Sequence, residues 1–503
     1  MERRVEIKNK IFYNIEKSKF KVKDIRMIGK MDKFDSVSPL DYRYYIGEKE
    51  IFNKLNKYVS ERSYIKYQAS VEAALVETMA DIGICTKEIA LEVKRVCNQI
   101  EPDEVYEEEK KTQHNIRALV NSIRKKLSNN AKGYIHLFVT SSDITDTATA
   151  VRFKDLNNKV VIPLLLDLER MLISFSRNTI DYVQIGRTHG QHAEPITFGF
   201  ALAGYVDRLG NRIEKIKESG NNLRGKISGA VGAYNAFSLL GDKYWVSPDD
   251  FEKRVLEKLG LKPARHSTQI VEPEYLTDYC YSIISCFSVL ANLCDDIRNL
   301  RRSEIEEIME SAEEEKVGSS TMPHKVNPWN FEHIKSLWKE FMPRMITIFM
   351  DQISEHQRDL TNSASSRFVV EILVGFIHSV NRLMTSLKKV RISDENMIRN
   401  LKQSESSIIA EPLYILLSLY GYPNGYDYIR KLFRKSKEMN KKLIEIAEND
   451  EEIKKYFEKI NKEQKQILYK PEKYIGLAVE KTKEICSFWE GALLLDKQCS
   501  SNN

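Results

Sequence analysis

Three short segments concentrate reactive side chains between long apolar stretches of the sequence. They are residues 140–146 (TSSDITD), 186–195 (GRTHGQHAEP) and 318–328 (GSSTMPHKVNP). Hydroxyl, imidazole and ammonium groups are side chains that transfer protons or stabilise developing negative charge in enzymes. The three segments are therefore the first candidates for a catalytic site.

The first segment offers hydroxyl groups and backbone amides at a predicted helix start. Thr140 and Ser141 could bind a carboxylate there, because the free N–H groups and the dipole of a helix N-terminus favour anions. Taken alone, the same residues are equally typical of an ordinary N-cap.

The second segment places a histidine between glycines in a predicted loop. Imidazole titrates near neutrality, so His189 is a candidate acid or base. A single histidine is nevertheless more often a structural hydrogen-bonding group. His189 and His192 have an HxxH spacing, but no acid or cysteine pattern accompanies them, and no metal site is predicted.

The third segment combines a serine with a nearby cation. Serine is a poor base, so Ser319 could accept a proton only if backbone N–H groups and Lys325 stabilised its oxyanion. Lys325 and Asn327 would also suit a substrate carboxylate that accumulates negative charge. In isolation the pattern is also typical of any ordered loop stiffened by proline.

The third segment resembles the signature loop of the fumarase/aspartase superfamily of lyases. THGQ and TSSD are similar to the other two site segments of that superfamily, and all three occur in its order. Further elements resemble those of the adenylosuccinate lyase family: SPLDYRY (38–44), AVGAYN (230–235), STQ (267–269), QRDLTNS (357–363) with Arg367, AEP (410–412) and PEKYIG (471–476). The resemblance extends from about residue 36 to 480 and leaves residues 1–30 without a counterpart.

This resemblance implies an anti β-elimination that releases fumarate from adenylosuccinate to give AMP, and from SAICAR to give AICAR. Ser319 would be the base that removes the β-proton, and His189 the acid that protonates the leaving nitrogen. Lys325 would stabilise the aci-carboxylate, and Glu332 would pair with His189. The residues that the resemblance implies in substrate binding are Arg43, Tyr44, His114, Thr140, Ser141, Asp143, Thr188, Gln269, Asn327, Arg358, Ser363 and Arg367.

The resemblance implies that five of these residues hold the substrate phosphate: Arg43, Tyr44, Arg358, Ser363 and Arg367. Three of the five are arginines, whose guanidinium groups match the geometry of phosphate oxygens. His136 lies where some members of the family also have a histidine. Asn115 stands where the family often has an aspartate after the histidine at position 114. The resemblance implies neither a metal nor another cofactor.

Long helices are predicted to position these segments. The 21 glycines and 13 prolines are about 7% of the chain, where about 12% is usual, and this shortage disfavours turn-rich sheet folds. Apolar residues recur every three to four positions in several stretches, which predicts buried helices. These stretches are 162–173, 279–293, 338–353 and 369–387.

We therefore predict an all-α fold in three regions. Residues 1–135 are expected to form an N-terminal helical domain, 136–393 a central long-helix bundle and 394–503 a C-terminal helical domain. The resemblance implies that four copies complete the bundle and that each site is shared between subunits. This would explain why the apolar stripes exceed what one small bundle can bury.

The distribution of charge bears on possible partners. Residues 1–30 contain ten Lys or Arg and four acids, which accounts for the whole net charge of +6. A solvated basic extension is the favoured interpretation, and neither a nucleic-acid partner nor a membrane partner is predicted. Seven cysteines without a CxxC pair are typical of reduced thiols, and we expect a cytoplasmic protein.

Two other interpretations remain open at this stage. Another elimination on the same scaffold, of the argininosuccinate or carboxymuconate type, would not need the arginines of residues 357–367. A non-catalytic helical scaffold descended from such a lyase would be expected to lack Ser319, His189 or Lys325, and all three are present.

Overall fold

A computed structural model describes residues 36–244, 246–310 and 321–501, with only the backbone at 242 and 494–501. The described residues fall into two compact units with a boundary after residue 56. The first unit contains a six-residue π-helix, Leu40–Tyr45. The predicted three-domain division remains a prediction.

Helices form most of the described chain, which confirms the all-α prediction. The helices that precede the first strand are α1 (Lys49–Val59), α2 (Glu61–Asp81), α3 (Lys87–Asn98), α4 (Pro102–Thr112), α5 (Asn115–Lys126), α6 (Ser141–Leu156) and α7 (Ile162–Asn178). The middle of the chain contains β1 (Val183–Thr188), β2 (Gln191–Thr197), α8 (Phe198–Asn221), β3 (Arg224–Gly225), α9 (Asn235–Ser238), α10 (Pro248–Lys258), β4 (Lys262–Pro263), α11 (Glu274–Leu300) and β5 (Ile308–Glu310).

Helices of very different length follow in the last third of the chain. The elements before residue 403 are α12 (Trp329–Phe341), α13 (Arg344–Met350), α14 (Val369–Leu387), β6 (Val390–Ile392) and α15 (Asp394–Lys402). The remaining helices are α16 (Glu405–Ile408), α17 (Ala410–Leu419), α18 (Gly425–Glu438), α19 (Leu443–Glu448), α20 (Lys454–Phe457), α21 (Lys462–Tyr469) and α22 (Ala478–Ser501).

The core is a bundle of the long helices α7, α8, α11, α12 and α14, with α22 packed on α7 and α8. Gly375 of α14 faces the ring of Phe341 on α12 so closely that a Cβ atom would clash with it. By length and composition α11 and the stretch Ser365–Leu387 could each cross a membrane, but 67% and 61% of their most apolar windows are buried within the fold. Such burial is typical of core helices.

Two local predictions differ from the structure. The apolar stripe over 338–353 is divided between α12 and α13, because Pro343 cannot continue the hydrogen bonds of the preceding turn. Residues 186–195, expected to form a loop, lie within the antiparallel hairpin of β1 and β2. The ladder is irregular around Gly186, where a Cβ atom would lie 2.5 Å from the carbonyl oxygen of Glu194.

An acid is buried within the bundle. Glu169 of α7 has no exposed surface, and neither of its carboxylate oxygens has a hydrogen-bond partner in the described part of the chain. Burial, followed by the charge of Asp207, raises the pKa of Glu169 to about 9. The folded protein is therefore expected to hold this carboxyl group protonated at neutral pH.

We expect Glu169→Gln to stabilise the protein at pH 8 by about 2–4 kcal/mol and to change little near pH 5. A carboxyl group whose pKa is raised by folding stabilises the folded state fully below its unfolded pKa. That contribution decreases as the pH rises towards about 9. Thermal unfolding of both proteins between pH 5 and 9 measures the difference. Glu214→Gln on the exposed face of α8 is the matched control, and parallel profiles for wild type and Glu169→Gln would contradict the prediction.

Candidate active site

His189 lies at the tip of the hairpin formed by β1 and β2. Thr188 and Gln191 are the last paired residues, and His189 and Gly190 form the two-residue turn with φ values of 53° and 74°. Positive φ at both turn positions matches the right-handed twist of a hairpin. The side chains of Thr188 and His189 are both exposed, so the turn presents the predicted acid at the end of a rigid element.

A buried carboxylate, that of Glu307, holds the first strand of this hairpin in place. Glu307 is fully buried and accepts two hydrogen bonds from the guanidinium of Arg187, at 2.7 and 3.1 Å. It also accepts from the side-chain amides of Gln184 at 2.6 Å and Asn400 at 2.8 Å. Three hydrogen bonds from β1 and one from α15 therefore converge on Glu307. Arg187, which donates two of them, lies two positions before His189 along the chain.

Glu307→Gln is expected to lower the free energy of unfolding by about 3–5 kcal/mol, because it leaves a largely buried guanidinium at Arg187 without its counter-charge. We also expect kcat to fall more than KM rises, since the hairpin that carries His189 loses its anchor. Thermal unfolding and steady-state kinetics measure the two effects. The double variant Glu307→Gln/Arg187→Gln should recover part of the stability, and a single variant as stable as wild type would exclude this anchoring role.

A second buried acid organises the start of α6. Asp143 accepts from the backbone N–H of Thr140 at 2.7 Å, which caps the helix. The same carboxylate pairs with the ammonium of Lys226 and accepts from the N–H groups of Ser228 and Gly229, each at 3.1 Å. Asp143 and Lys226 are both fully buried.

These contacts place Asp143 among partners within the protein, and the substrate contact implied by the resemblance stays a prediction. Its carboxylate is enclosed and occupied by donors of the protein, so in this structure it holds residues 226–229 against the helix start. Thr140 and Ser141 are partly exposed there. Asp143 thus caps the helix start at which these two residues lie.

Three of the predicted segments meet beside this helix. The N–H of Gln269 donates to the carbonyl of Gln357 at 3.2 Å, and the N–H of Val271 donates to Asp146 at 3.1 Å. Burial raises the pKa of Asp146, and the charge of Arg358 is among the influences that lower it. Residues 140–146, 267–271 and 357–358 thus form one wall within a single subunit, which brings Gln269 and Arg358 near the start of α6.

Ser319 lies outside the described residues, which end at Glu310 before it and resume at Thr321 after it. Arg301 at the end of α11 is 6% exposed and donates to Glu310 at 2.6 Å and to the carbonyl of Val326 at 3.4 Å. This arginine therefore contacts both Glu310 and Val326, the residue that follows Lys325. The side chain of Lys325 is exposed, and Asn327 is partly buried.

Glu332 does not meet His189 within the described residues of one chain. Its carboxylate is half exposed on α12 and lies 3.8 Å from the guanidinium of Arg298. No hydrogen bond or ion pair joins His189 to Thr140 or Ser141 in the described part of the chain either. The turn that carries His189 is thus not joined to Thr140 or Ser141 in the described part of the chain. The pairing of Glu332 with His189 remains a prediction.

Two histidines near the wall have defined partners. His114 is the N-cap of α5, and its Nδ1 accepts from the N–H of Arg117 at 3.2 Å. The ring Nδ1 of His136 lies 2.7 Å from the buried carboxylate of Glu72. The backbone N–H of His136 donates to the same carboxylate at 2.9 Å. Burial lowers the pKa of His136, but the hydrogen bond and charge of Glu72 outweigh it and raise the pKa above its usual value.

The remaining predicted residues are spread along the chain. Arg43 and Tyr44 lie in the helix Leu40–Tyr45 of the first unit. Ser363 is exposed in the segment before α14. Burial raises the pKa of Tyr106 to about 12, and the charge of Arg367, which lies nearby, acts in the opposite direction. Among the described residues, no group of three or more His, Cys, Asp or Glu is arranged to hold a metal ion.

Sequence reasoning missed four side chains that hold these segments: Lys226, Asp146, Arg301 and Glu307. Lys226 carried a signal, since a lysine within the otherwise small and apolar stretch 225–233 needs a buried partner. Asp146 also carried one, because it lies three residues after Asp143 in the same helix. Arg301 and Glu307 occur in the charged run 301–310, where nothing in the sequence distinguishes a buried charge from a solvated one.

The helical fold agrees with comparisons to known proteins. A sequence family described as lyase matches residues 43–340, more than half of the chain, and this defines the class as that of the helical lyases. A second family, described as adenylosuccinate lyase C-terminal, matches residues 354–475. Adenylosuccinate lyases of Pyrococcus abyssi and Pyrococcus horikoshii are 33% and 34% identical to this chain, over 90% of it and 98% of each relative. The chain belongs to the adenylosuccinate lyase family.

Solved structures extend the likeness to the fold. A 3-carboxy-cis,cis-muconate lactonizing enzyme from Pseudomonas putida has a TM-score of 0.76 at 20% identity, covering 90% of this chain and 99% of that one. A fumarate lyase from Mesorhizobium sp. BNC1 has a TM-score of 0.74 at 20% identity, covering 86% and 97%. At this level of identity the likeness concerns the fold alone.

Proposed function

We propose that this protein is a cytoplasmic adenylosuccinate lyase that releases fumarate from adenylosuccinate to give AMP, and from SAICAR to give AICAR. The observation that carries the proposal is family membership along almost the whole chain, including the match to residues 354–475 that contains Arg358, Ser363 and Arg367. Because this stretch supplies guanidinium groups suited to phosphate, it favours a phosphorylated substrate over an unphosphorylated one.

In the proposed reaction, Ser319 removes a proton from the β-carbon of the succinyl group. The electron pair enters the adjacent carboxylate as an aci-carboxylate and then forms the double bond of fumarate as the C–N bond breaks. His189 donates a proton to the departing nitrogen, which becomes the amino group of the product. The turn geometry of His189 supports this role, because a rigid hairpin tip can hold an acid in one position.

Negative charge on the intermediate would be stabilised by Lys325 and Asn327, with Thr140 and Ser141 from the start of α6. The free N–H groups and the dipole of this 16-residue helix add to that stabilisation. Gln269, Thr188 and His114 complete the proposed contacts to the substrate, and Arg43, Tyr44, Arg358, Ser363 and Arg367 hold its phosphate.

We further propose that the active form is a homotetramer whose sites combine segments of different subunits. Large apolar side chains are exposed together over residues 342–353, with relative exposures from 43% to 76%. They are Met342, Ile346, Phe349, Met350 and Ile353. A patch of this kind at the end of a long-helix bundle favours burial against another copy, and light scattering at four times the chain mass would support it.

The deciding experiment is a comparison of substrates with the purified full-length protein. Fumarate release is measured from adenylosuccinate, SAICAR and argininosuccinate at equal concentrations. We expect release from the two phosphorylated compounds only. Release from argininosuccinate alone would overturn the assignment in favour of another elimination, and a folded tetramer without any release would support the non-catalytic scaffold.

A further inference from the structure

Basic side chains gather on a part of the chain that the proposed reaction does not use. The short strands β3 and β4 pair in parallel, and their register places Arg224 directly opposite Lys262. Like charges on opposed positions of neighbouring strands repel each other. The ladder therefore holds two cations side by side at a cost that a bound anion would remove.

A cavity of about 430 Å³ opens beside this pair. Its charged lining consists of Arg224, Lys253, Lys262 and Arg265 with one acid, Glu257. Glu257 lies 3.9 Å from Lys253, and both side chains are about 60% exposed, so this ion pair neutralises little of the local charge. We call this cavity the basic cleft.

A fifth cation lies near the basic cleft. Lys154, near the end of α6, donates from its ammonium to the carbonyl of Gly260 at 2.9 Å. Burial, followed by the charges of Arg224 and Lys262, lowers the pKa of Lys154. This concentration is a local feature, because the chain after residue 30 has no net formal charge.

One side of the basic cleft is aromatic and apolar. The guanidinium of Arg224 lies 5.6 Å from the centroid of the Tyr275 ring, a distance at which the ring attracts and orients a cation. Leu261 and Pro263 line the cleft nearby. The cleft thus offers two guanidinium groups, one of them held beside an aromatic ring, and two ammonium groups beside an apolar surface.

We propose that the basic cleft is a second anion site, which binds a small polyphosphate such as the diphosphate or triphosphate group of a nucleotide. Several cations need a ligand with several negative charges, and guanidinium with ammonium is the usual combination for phosphate. The volume lies in the range typical of small-molecule pockets. A nucleic acid would instead favour basic residues along an extended surface, whereas these line one concave space.

The test is calorimetric titration of tripolyphosphate into the full-length protein at low ionic strength. The variant Arg224→Gln/Lys262→Gln removes the opposed pair and is expected to weaken binding about tenfold or more. Lys431→Gln/Lys435→Gln on the exposed face of α18 removes the same charge and should bind like wild type. Thermal unfolding of each variant confirms that it is folded.

A third variant separates the basic cleft from the proposed substrate site. Arg358→Gln/Arg367→Gln changes the proposed phosphate grip and should still bind tripolyphosphate with wild-type affinity at the basic cleft. The proposal is overturned if this variant alone loses binding, or if Arg224→Gln/Lys262→Gln binds as well as wild type. Binding of a DNA duplex without binding of tripolyphosphate would also overturn it and point to a nucleic-acid surface.

Discussion

Replacing Ser319 by alanine should lower kcat for fumarate release by about 10³-fold or more, while the substrate still binds. The change removes the proposed base and leaves the arginines, the lysine and the helix start that would bind the substrate. Loss of a positioned general base costs about 10²–10⁴ in rate. Single-turnover kinetics measure the chemical step, and calorimetry with the inactive variant measures binding.

The neighbouring serine provides the matched control for this prediction. Ser320→Ala removes a hydroxyl from the next residue of the same segment and should keep most of the activity. If Ser320→Ala is inactive and Ser319→Ala is active, the base is Ser320. If Ser319→Ala also loses binding, the hydroxyl contributes to substrate affinity and the assignment as base alone is wrong.

His189→Asn should lower kcat by about 10²–10⁴-fold without unfolding the hairpin. Asparagine suits this position because His189 has a φ of 53°, and asparagine adopts that conformation more readily than most residues. The loss therefore reports the missing imidazole and not a strained turn. Activity over a range of pH values and thermal unfolding are the measurements, and a near-wild-type rate would remove His189 as the acid.

His192→Asn tests the specificity of that result within the same hairpin. The Nδ1 of His192 lies 2.6 Å from the hydroxyl of Ser404, which indicates a structural contact, and we expect activity near that of wild type.

Mixing the Ser319→Ala and His189→Asn variants and allowing their subunits to exchange tests whether sites are shared between subunits. If the two residues come from different chains, random tetramers should regain about a quarter of the wild-type sites, and no recovery would place both residues in one subunit.

The long helices were predictable because a single physical pattern determines them. The apolar spacing over 369–387 predicted a buried helix, and α14 has those bounds. The stripe over 338–353 has the same spacing, but its interruption depends on Pro343, a residue that the periodicity does not register. The hairpin that carries His189 was missed because His-Gly is an uncommon two-residue turn and its strands lack a clear alternation of apolar residues.

The sequence predicts a set of reactive residues, but it did not predict the side chains that hold their segments in place. Motif spacing proposes Ser319, His189 and Lys325 without reference to the fold, and their roles stay predictions. In contrast, Asp143 meets Lys226 across 83 residues of sequence, and Glu307 meets Gln184 across 123. Such contacts depend on tertiary packing, and only the structure distinguishes an acid that faces a ligand from an acid that holds a loop.

The contacts of Glu307 have a consequence for recombining this protein with its relatives. Gln184, Arg187 and Glu307 belong to the stretch matched by the lyase family, whereas Asn400 belongs to the stretch matched by the C-terminal family. The two stretches therefore are not interchangeable modules. In a chimera joined between residues 340 and 354, the residue at position 400 and Glu307, which accepts its hydrogen bond, would come from different parent proteins. Crossovers that keep position 400 compatible with position 307 should yield active hybrids, and those that break this compatibility should yield folded hybrids in which the hairpin that carries His189 is misplaced.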